Sequence, residues 1–352
     1  MGGDHAPDAI LKGCVQGLAE LGPSDELILV GPRELIEDAM AERGLSDPRV
    51  VIEHASEVIE MGESPARAVR GKPDSSIVRM SQIGSVKHPR RADCVLSAGN
   101  TGACVSAAIM HMRRLEYVHR PGIAVTVPAF HGPVVLIDAG ANPEPRPTHL
   151  WQYGLMADVW ARNVLGIAKP RVAQMNIGSE EGKGTELIKQ TRTLLEATPG
   201  LNYVGYIEGR DFFEGAADVV VTDGFTGNTL LKMAEGMAKS LFKAIAAEIM
   251  AIDPSLALKF EPVVKQIYAK NDYHEHGGAP LLGVNGLCLI AHGSSEPRTI
   301  KNAIKRGRQL AALRINEAMV KRLGEVDHIP AAFGHGPAGE SESAEAKAGA
   351  RA

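Results

Sequence analysis

Two segments of the chain share a spelling that suits the binding of an anion. Ser97-Ala98-Gly99-Asn100-Thr101-Gly102-Ala103 follows the apolar run Ala92–Leu96, and Asp223-Gly224-Phe225-Thr226-Gly227-Asn228 follows Asp218–Thr222. Both read as strand, Gly-x-Thr-Gly, helix. Glycine lets a backbone approach a ligand closely, and the first turn of a helix offers free N–H groups at the positive end of its dipole. His292-Gly293-Ser294-Ser295 after Leu287–Ala291 is a third segment of this kind. One such elbow alone is more simply a tight turn between strand and helix. Two with the same spelling make an anion site an equal reading. Gly99, Asn100, Thr101, Gly102, Gly224, Thr226, Gly227, Asn228, His292 and Ser294 are its candidate residues.

Other polar groups follow strands in the same way. Asn176-Ile177-Gly178-Ser179-Glu180-Glu181-Gly182-Lys183-Gly184 superficially resembles a P-loop. Its spacing is one residue short, and Gly184 stands where Ser or Thr should bind magnesium, so ATP is not expected. Lys183 remains a good point charge for phosphate, or else a solvated surface lysine. Asp4 and His5, in Gly2-Gly3-Asp4-His5-Ala6-Pro7, pair a carboxylate with an imidazole ahead of a helix. The pair suits a general base or a phosphate ligand, and equally a cap and turn. Asp138-Ala139-Gly140-Ala141-Asn142 ends another strand and brings Asn142 to the same edge. There is no HExxH, EF-hand or Cys/His cluster, so no metal is expected; GxSxG and GxGxxG are also missing. The residues alone describe an α/β enzyme with an anion site, no cofactor and no covalent nucleophile.

Alternating elements are expected to position these groups. Strand-like runs lie at Glu26–Val30, Arg49–Ile52, Ala92–Leu96, Ile123–Val127, Val134–Ile137, Arg171–Met175, Asn202–Ile207, Asp218–Thr222 and Leu287–Ala291. Several lack polar alternation, as strands buried on both faces do. Helices are expected at Pro7–Leu21, Pro32–Arg43, Thr148–Val164, Thr185–Ala197 and Pro297–Leu323. Strands alternating with helices imply a layered, mostly parallel α/β sheet, here as one domain over residues 1–334. Thr229–Met250 and Ser255–Lys270 break the alternation and predict a projecting helical hairpin over about 229–272, with Pro254 starting its second helix. The small and charged residues of 335–352 predict a disordered tail.

Composition excludes several classes. Only 4% of the 352 residues are aromatic and the formal net charge is −4, so a nucleic-acid partner is not expected. Cys14, Cys94, Cys104 and Cys288 are scattered without a CxxC pair, which suits reduced thiols in a cytoplasmic protein. No apolar run approaches a membrane span and no signal peptide is visible, so any membrane contact is expected to be peripheral.

MGGDHAP, SAGNTGA, DAGAN, NIGSEEGKG, ADVVVTDGFTGN, GGAPLLG and AHGSS occur in this order. Together they resemble the acyl-ACP:phosphate acyltransferase family (PlsX), and the resemblance runs from Met1 to about Leu323. It implies a fold similar to phosphotransacetylases and to isocitrate and isopropylmalate dehydrogenases. It implies transfer of a fatty acyl group from acyl carrier protein to inorganic phosphate, for phospholipid synthesis, by a homodimer that needs no nucleotide or metal. The product would pass to a membrane-bound glycerol-3-phosphate acyltransferase. The resemblance assigns Lys183 and Asn228 to phosphate and the transition state, and His5, Asn100 and Thr101 to the lining of the site. It also gives the hairpin a role in the dimer, in acyl-chain binding and at the membrane, with Leu256, Leu258 and Phe260 as an apolar tip. An acidic carrier protein needs a basic patch, for which Lys87, Arg90 and Arg91, or Arg113 and Arg114, are candidates.

Two departures stand out. Family members usually carry a short apolar strand before GGDHAP, whereas here the sequence opens on the motif. A neighbouring strand is then expected to lack a ladder partner, and the His5 loop to lack an anchor. Glu144 stands two residues after Asn142, where the family usually has Asp. The competing functions are a short-chain acyl-CoA phosphotransacylase, a dehydrogenase of the same fold, and an inactive membrane-associated scaffold.

Overall fold

The computed structural model describes residues 2–129, 131–253, 255–256, 259–263 and 277–335. Among the described residues the strands are β1 (Leu27–Gly31), β2 (Val50–His54), β3 (Cys94–Ser97), β4 (Gly122–Ala129), β5 (Gly132–Ile137), β6 (Val172–Met175), β7 (Tyr203–Ile207), β8 (Val219–Val221), β9 (Ala279–Leu282) and β10 (Leu287–Ile290). The helices are α1 (Asp8–Gly17), α2 (Arg33–Glu42), α3 (Pro65–Gly71), α4 (Ser76–Ile83), α5 (Thr101–Ala107), α6 (Pro147–Val164), α7 (Glu186–Glu196), α8 (Gly224–Ile252), α9 (Pro297–Ala311), α10 (Ile315–Val326) and α11 (Ile329–Ala332).

Eight strands form one sheet in the order β3-β10-β9-β4-β5-β8-β6-β7. β5, β8, β6 and β7 are mutually parallel, as are β3 and β10. β9 is antiparallel to β10 and β4, and β4 is antiparallel to β5. The sheet therefore consists of two parallel blocks that run in opposite directions, joined through a short antiparallel centre. Val172–Met175 and Val219–Val221 are buried at every residue, which accounts for their unbroken apolar spelling.

β1 and β2 form a separate parallel pair. β1 has no second neighbour among the described residues, and neither has β3. The two strands face one another across a cavity of about 960 Å³, closed by Leu11 of α1, Met80 of α4 and Ile304 of α9.

α6 anchors the main core. Leu150, Trp151, Tyr153, Leu155 and Met156 are each at most 1% exposed. Burial of such side chains contributes about 1.5–3 kcal/mol apiece. Two buried polar side chains in this helix are paired: Trp151 Nε1 donates to Thr198 Oγ1 at 2.8 Å, and Gln152 bonds the backbone of Tyr117 and His119.

Several expectations are corrected. β9 and the short helices α3 and α4 were not foreseen. The helix expected at Pro297–Leu323 is two helices, because Arg314 adopts a left-handed conformation (φ 45°) and α10 turns back onto α6. The helix expected from Thr229 begins at Gly224, capped by Asp223, and ends at Ile252. Residues 255–256 and 259–263 have helical backbone. Pro254, Leu258, the rest of the second hairpin helix and the tail after His335 lie outside the described residues. No described helix is long and apolar enough to cross a membrane.

Candidate active site

The structure ties the loop after β5 to the elbow after β8 through Asp138. This carboxylate is fully buried. Its Oδ1 accepts the backbone N–H groups of Ile123, Gly140 and Ala141, at 2.9, 3.2 and 3.0 Å, and its Oδ2 accepts that of Asn142 at 2.6 Å. Three of these donors wrap the 139–142 loop around one side chain, and the fourth ties it to β4. Asn142 O then accepts the Gly224 N–H at 2.9 Å, which docks the start of α8 against the loop. The approach is so close that a Cβ on Gly227 would stand 2.0 Å from Asp138 O. Gly140, at φ 131°, lies against the Asn228 side chain.

The groups expected from the sequence fall into two sets. Some are occupied by structure. Asn100 caps α5 by accepting the Ala103 N–H at 2.9 Å, and its Nδ2 reaches the carbonyls of Glu60, Met61 and Glu63. Asn142 Nδ2 donates to Pro121 O at 2.6 Å and to Tyr153 Oη at 2.7 Å. Thr226 is held by Asp223, the cap of α8. Others remain open to a ligand. Asn228 is exposed near the start of α8, and its amide has no partner among the described residues. Thr101 stands at the first turn of α5.

Thr101, Gly140, Asn228 and His292 line one cavity of about 280 Å³, so three of the strand-ending loops and α8 converge on it. Ile123, Val125, Leu231, Pro280 and Ile290 make its walls apolar. His292 Nδ1 accepts the Ser294 N–H at 3.2 Å and lies 2.7 Å from Ser294 Oγ. In the neutral ring the proton is then on Nε2. Gly99 and Gly102 shape the elbow without lining the cavity: Gly2 packs on Gly99, and Pro65 on Gly102.

The N-terminal loop is anchored, contrary to expectation. Asp4 N–H donates to Gly293 O at 2.8 Å, and Gly3 packs against Ala98 O. The loop thus joins the elbows after β3 and β10, with His5 exposed beside them. Lys183 does not line the cavity. It stands exposed on the loop after β6, the strand beside β8, and makes no ion pair among the described residues. Asp138 holds a larger role than its sequence motif implied; its place directly after the apolar run Val134–Ile137, two residues before Gly140, was the available signal. No cluster of metal-ligating side chains occurs among the described residues.

A mixed α/β sheet with helix starts converging on one cavity defines a phosphotransacetylase-like protein by fold. A phosphotransacetylase from Streptococcus pyogenes aligns over 86% of this chain and 91% of its own, with a TM-score of 0.57 at 16% identity. The family follows from sequence. The model of the family described as "Fatty acid synthesis protein" matches residues 1–318. A phosphate acyltransferase of Dictyoglomus turgidum is 40% identical over 329 residues, covering 93% of this chain and 96% of the relative. One from Desulfitobacterium hafniense is 44% identical over 326 residues, covering 92% and 96%. The chain belongs to this family, the PlsX family of phosphate acyltransferases.

Proposed function

We infer that this chain is an acyltransferase of phospholipid synthesis, which moves a fatty acyl group from acyl carrier protein onto inorganic phosphate. The observation that carries the chemistry is the cavity shared by Thr101, Gly140, Asn228 and His292, where two helix starts meet an unpaired amide. A phosphate oxygen attacks the thioester carbonyl, a tetrahedral oxyanion forms, and the carrier leaves as its thiol. The thioester is already activated, so the protein has only to orient phosphate and stabilise the oxyanion. We assign Asn228 and Lys183 to phosphate and the transition state. Thr101 and His292 line the site, Ser294 orients His292, and we assign exposed His5 to the neighbouring N-terminal loop. Asp4, Asn100 and Asn142 shape the site through the loops they hold.

Two surfaces support the partners. Phe225, Met233, Met237, Leu241 and Ile245 form an exposed apolar stripe on α8. Such a stripe at helical spacing suits a second copy of the chain. For the carrier, Arg113 and Arg114 are exposed, and Arg114 and Arg146 lie close enough to His119 and His149 to act on their charge. Arg90 is neutralised by Glu26 at 2.8 Å, whereas Arg114 bonds only a backbone carbonyl, that of His119, so we place carrier docking at Arg113 and Arg114. Passage of the product to a membrane acyltransferase, and peripheral contact with the membrane, belong to the same proposal.

The test is phosphate-dependent consumption of long-chain acyl carrier protein, with acyl phosphate trapped as its hydroxamate. Product that requires phosphate and disappears in Lys183→Ala is the expected result. Product only from a short acyl-CoA would establish the phosphotransacetylase-like alternative. Vesicle binding with no transfer from either donor would establish the scaffold.

A further inference from the structure

The cavity at the elbows extends away from them along α9. Thr299, Arg306 and Leu310 line it from that helix, with Trp160 of α6 and Ala279 and Pro280 of β9 opposite. Arg306 is half-buried and makes no ion pair or hydrogen bond among the described residues. Its neighbour Arg308 behaves otherwise, bonding Asp25 at 2.6 Å on the outer face. Burial, with no carboxylate to offset it, pulls the Arg306 guanidinium below its ordinary range. Two neutral donors on the same cavity are also unmet: Trp160 Nε1, 2% exposed, and Ser295 Oγ, 1% exposed. Buried polar groups are nearly always paired, so unmet donors call for a missing partner. A guanidinium fork is best matched by a phosphate or carboxylate, which accepts two N–H groups at once.

Thr299 and Arg306 are seven residues apart on α9, a separation of about 10 Å. A ligand reaching from the elbows to Arg306 is therefore elongated and carries its negative charge at the far end. Its middle crosses Leu231, Pro280 and Ile290, which suits a neutral arm. We propose that Arg306 marks a second anion subsite, which holds the phosphate of the phosphopantetheine arm that carries the acyl thioester. The elbows keep the separate phosphate that becomes acylated. This deepens the proposed function and rests on it for the identity of the arm.

The experiment compares phosphopantetheine, pantetheine and inorganic phosphate as ligands of the full chain by calorimetry, and the KM for acyl carrier protein and for phosphate. The variants are Arg306→Gln and Arg306→Lys, with thermal melts as a check of folding. A charge-assisted contact predicts that phosphopantetheine binds about 10–100-fold more tightly than pantetheine. Arg306→Gln should erase that preference and raise the KM for the acyl carrier while leaving the KM for phosphate in place. Arg306→Lys should retain part of the preference. Equal binding of the two arms by the parent chain, or a preference that survives in a folded Arg306→Gln, overturns the subsite. Loss of inorganic phosphate binding in Arg306→Gln would make it a free-phosphate site and overturn the arm. A parent chain that discriminates the arms but makes no acyl phosphate leaves the subsite standing and removes the acyltransferase reading instead.

Discussion

At the scale of single residues, the site divides into groups that hold the backbone and groups left for a ligand. Asn228 belongs to the second set, because the N–H of its neighbourhood is capped by Asp223 while its own amide faces the cavity. Asn228→Ala is expected to lower kcat by about 10²–10³, as loss of one oxyanion donor does. Acyl-hydroxamate formation at saturating phosphate measures it. Gly227→Ala acts through a different cause. A Cβ at 2.0 Å from Asp138 O forces α8 away from the 139–142 loop. Overpacking of this kind costs about 1–3 kcal/mol, read as a lower urea midpoint, and activity should fall with it. The elbows were legible in the sequence because glycine and threonine at a fixed spacing have a backbone cause. The role of Asp138 was not, since its four donors come together only when the 139–142 loop folds back on β4.

At the scale of elements, α6 carries a pH response. Burial, reinforced by the positive charges of Arg120, Arg146 and Arg114 and by His119, pushes the His149 imidazole down to about 4. Its Nδ1 accepts the Arg146 N–H at 3.1 Å, which requires the neutral ring. The unfolded chain takes up the proton near pH 6.5, and the folded chain only near pH 4. The unfolded state therefore binds more protons between those values, and stability falls as pH falls through the window, by about 3 kcal/mol in total. Denaturant midpoints at pH 7 and pH 4.5 should differ less for His149→Asn than for the parent chain. The same element scale shows why part of the fold was unreadable. Buried strands such as Val219–Val221 announce themselves by composition. β9 spells only Ala-Pro-Leu-Leu, and its direction is set by long-range pairing with β4 and β10 rather than by any local pattern. The break at Arg314 likewise reflects the docking of α10 on α6, which helical periodicity does not encode.

At the scale of the whole molecule, α8 presents more apolar surface than a lone chain should. Met237 is 63% exposed and Leu241 59%. If the stripe pairs two copies, Met237→Glu with Leu241→Glu should yield monomers in sedimentation without unfolding the α/β body. A parent chain that is itself monomeric at micromolar concentration would remove the dimer from the proposal.

The gap between β1 and β3 has a consequence for cooperativity. β1, β2 and α2 connect to the remaining sheet through side chains of α1 and α4, not through a continuous ladder. Such a unit can open on its own, below the free energy of global unfolding. The amide protons of Leu27–Gly31 and Val50–His54 should thus exchange with solvent earlier than those of β5, β8 and β6.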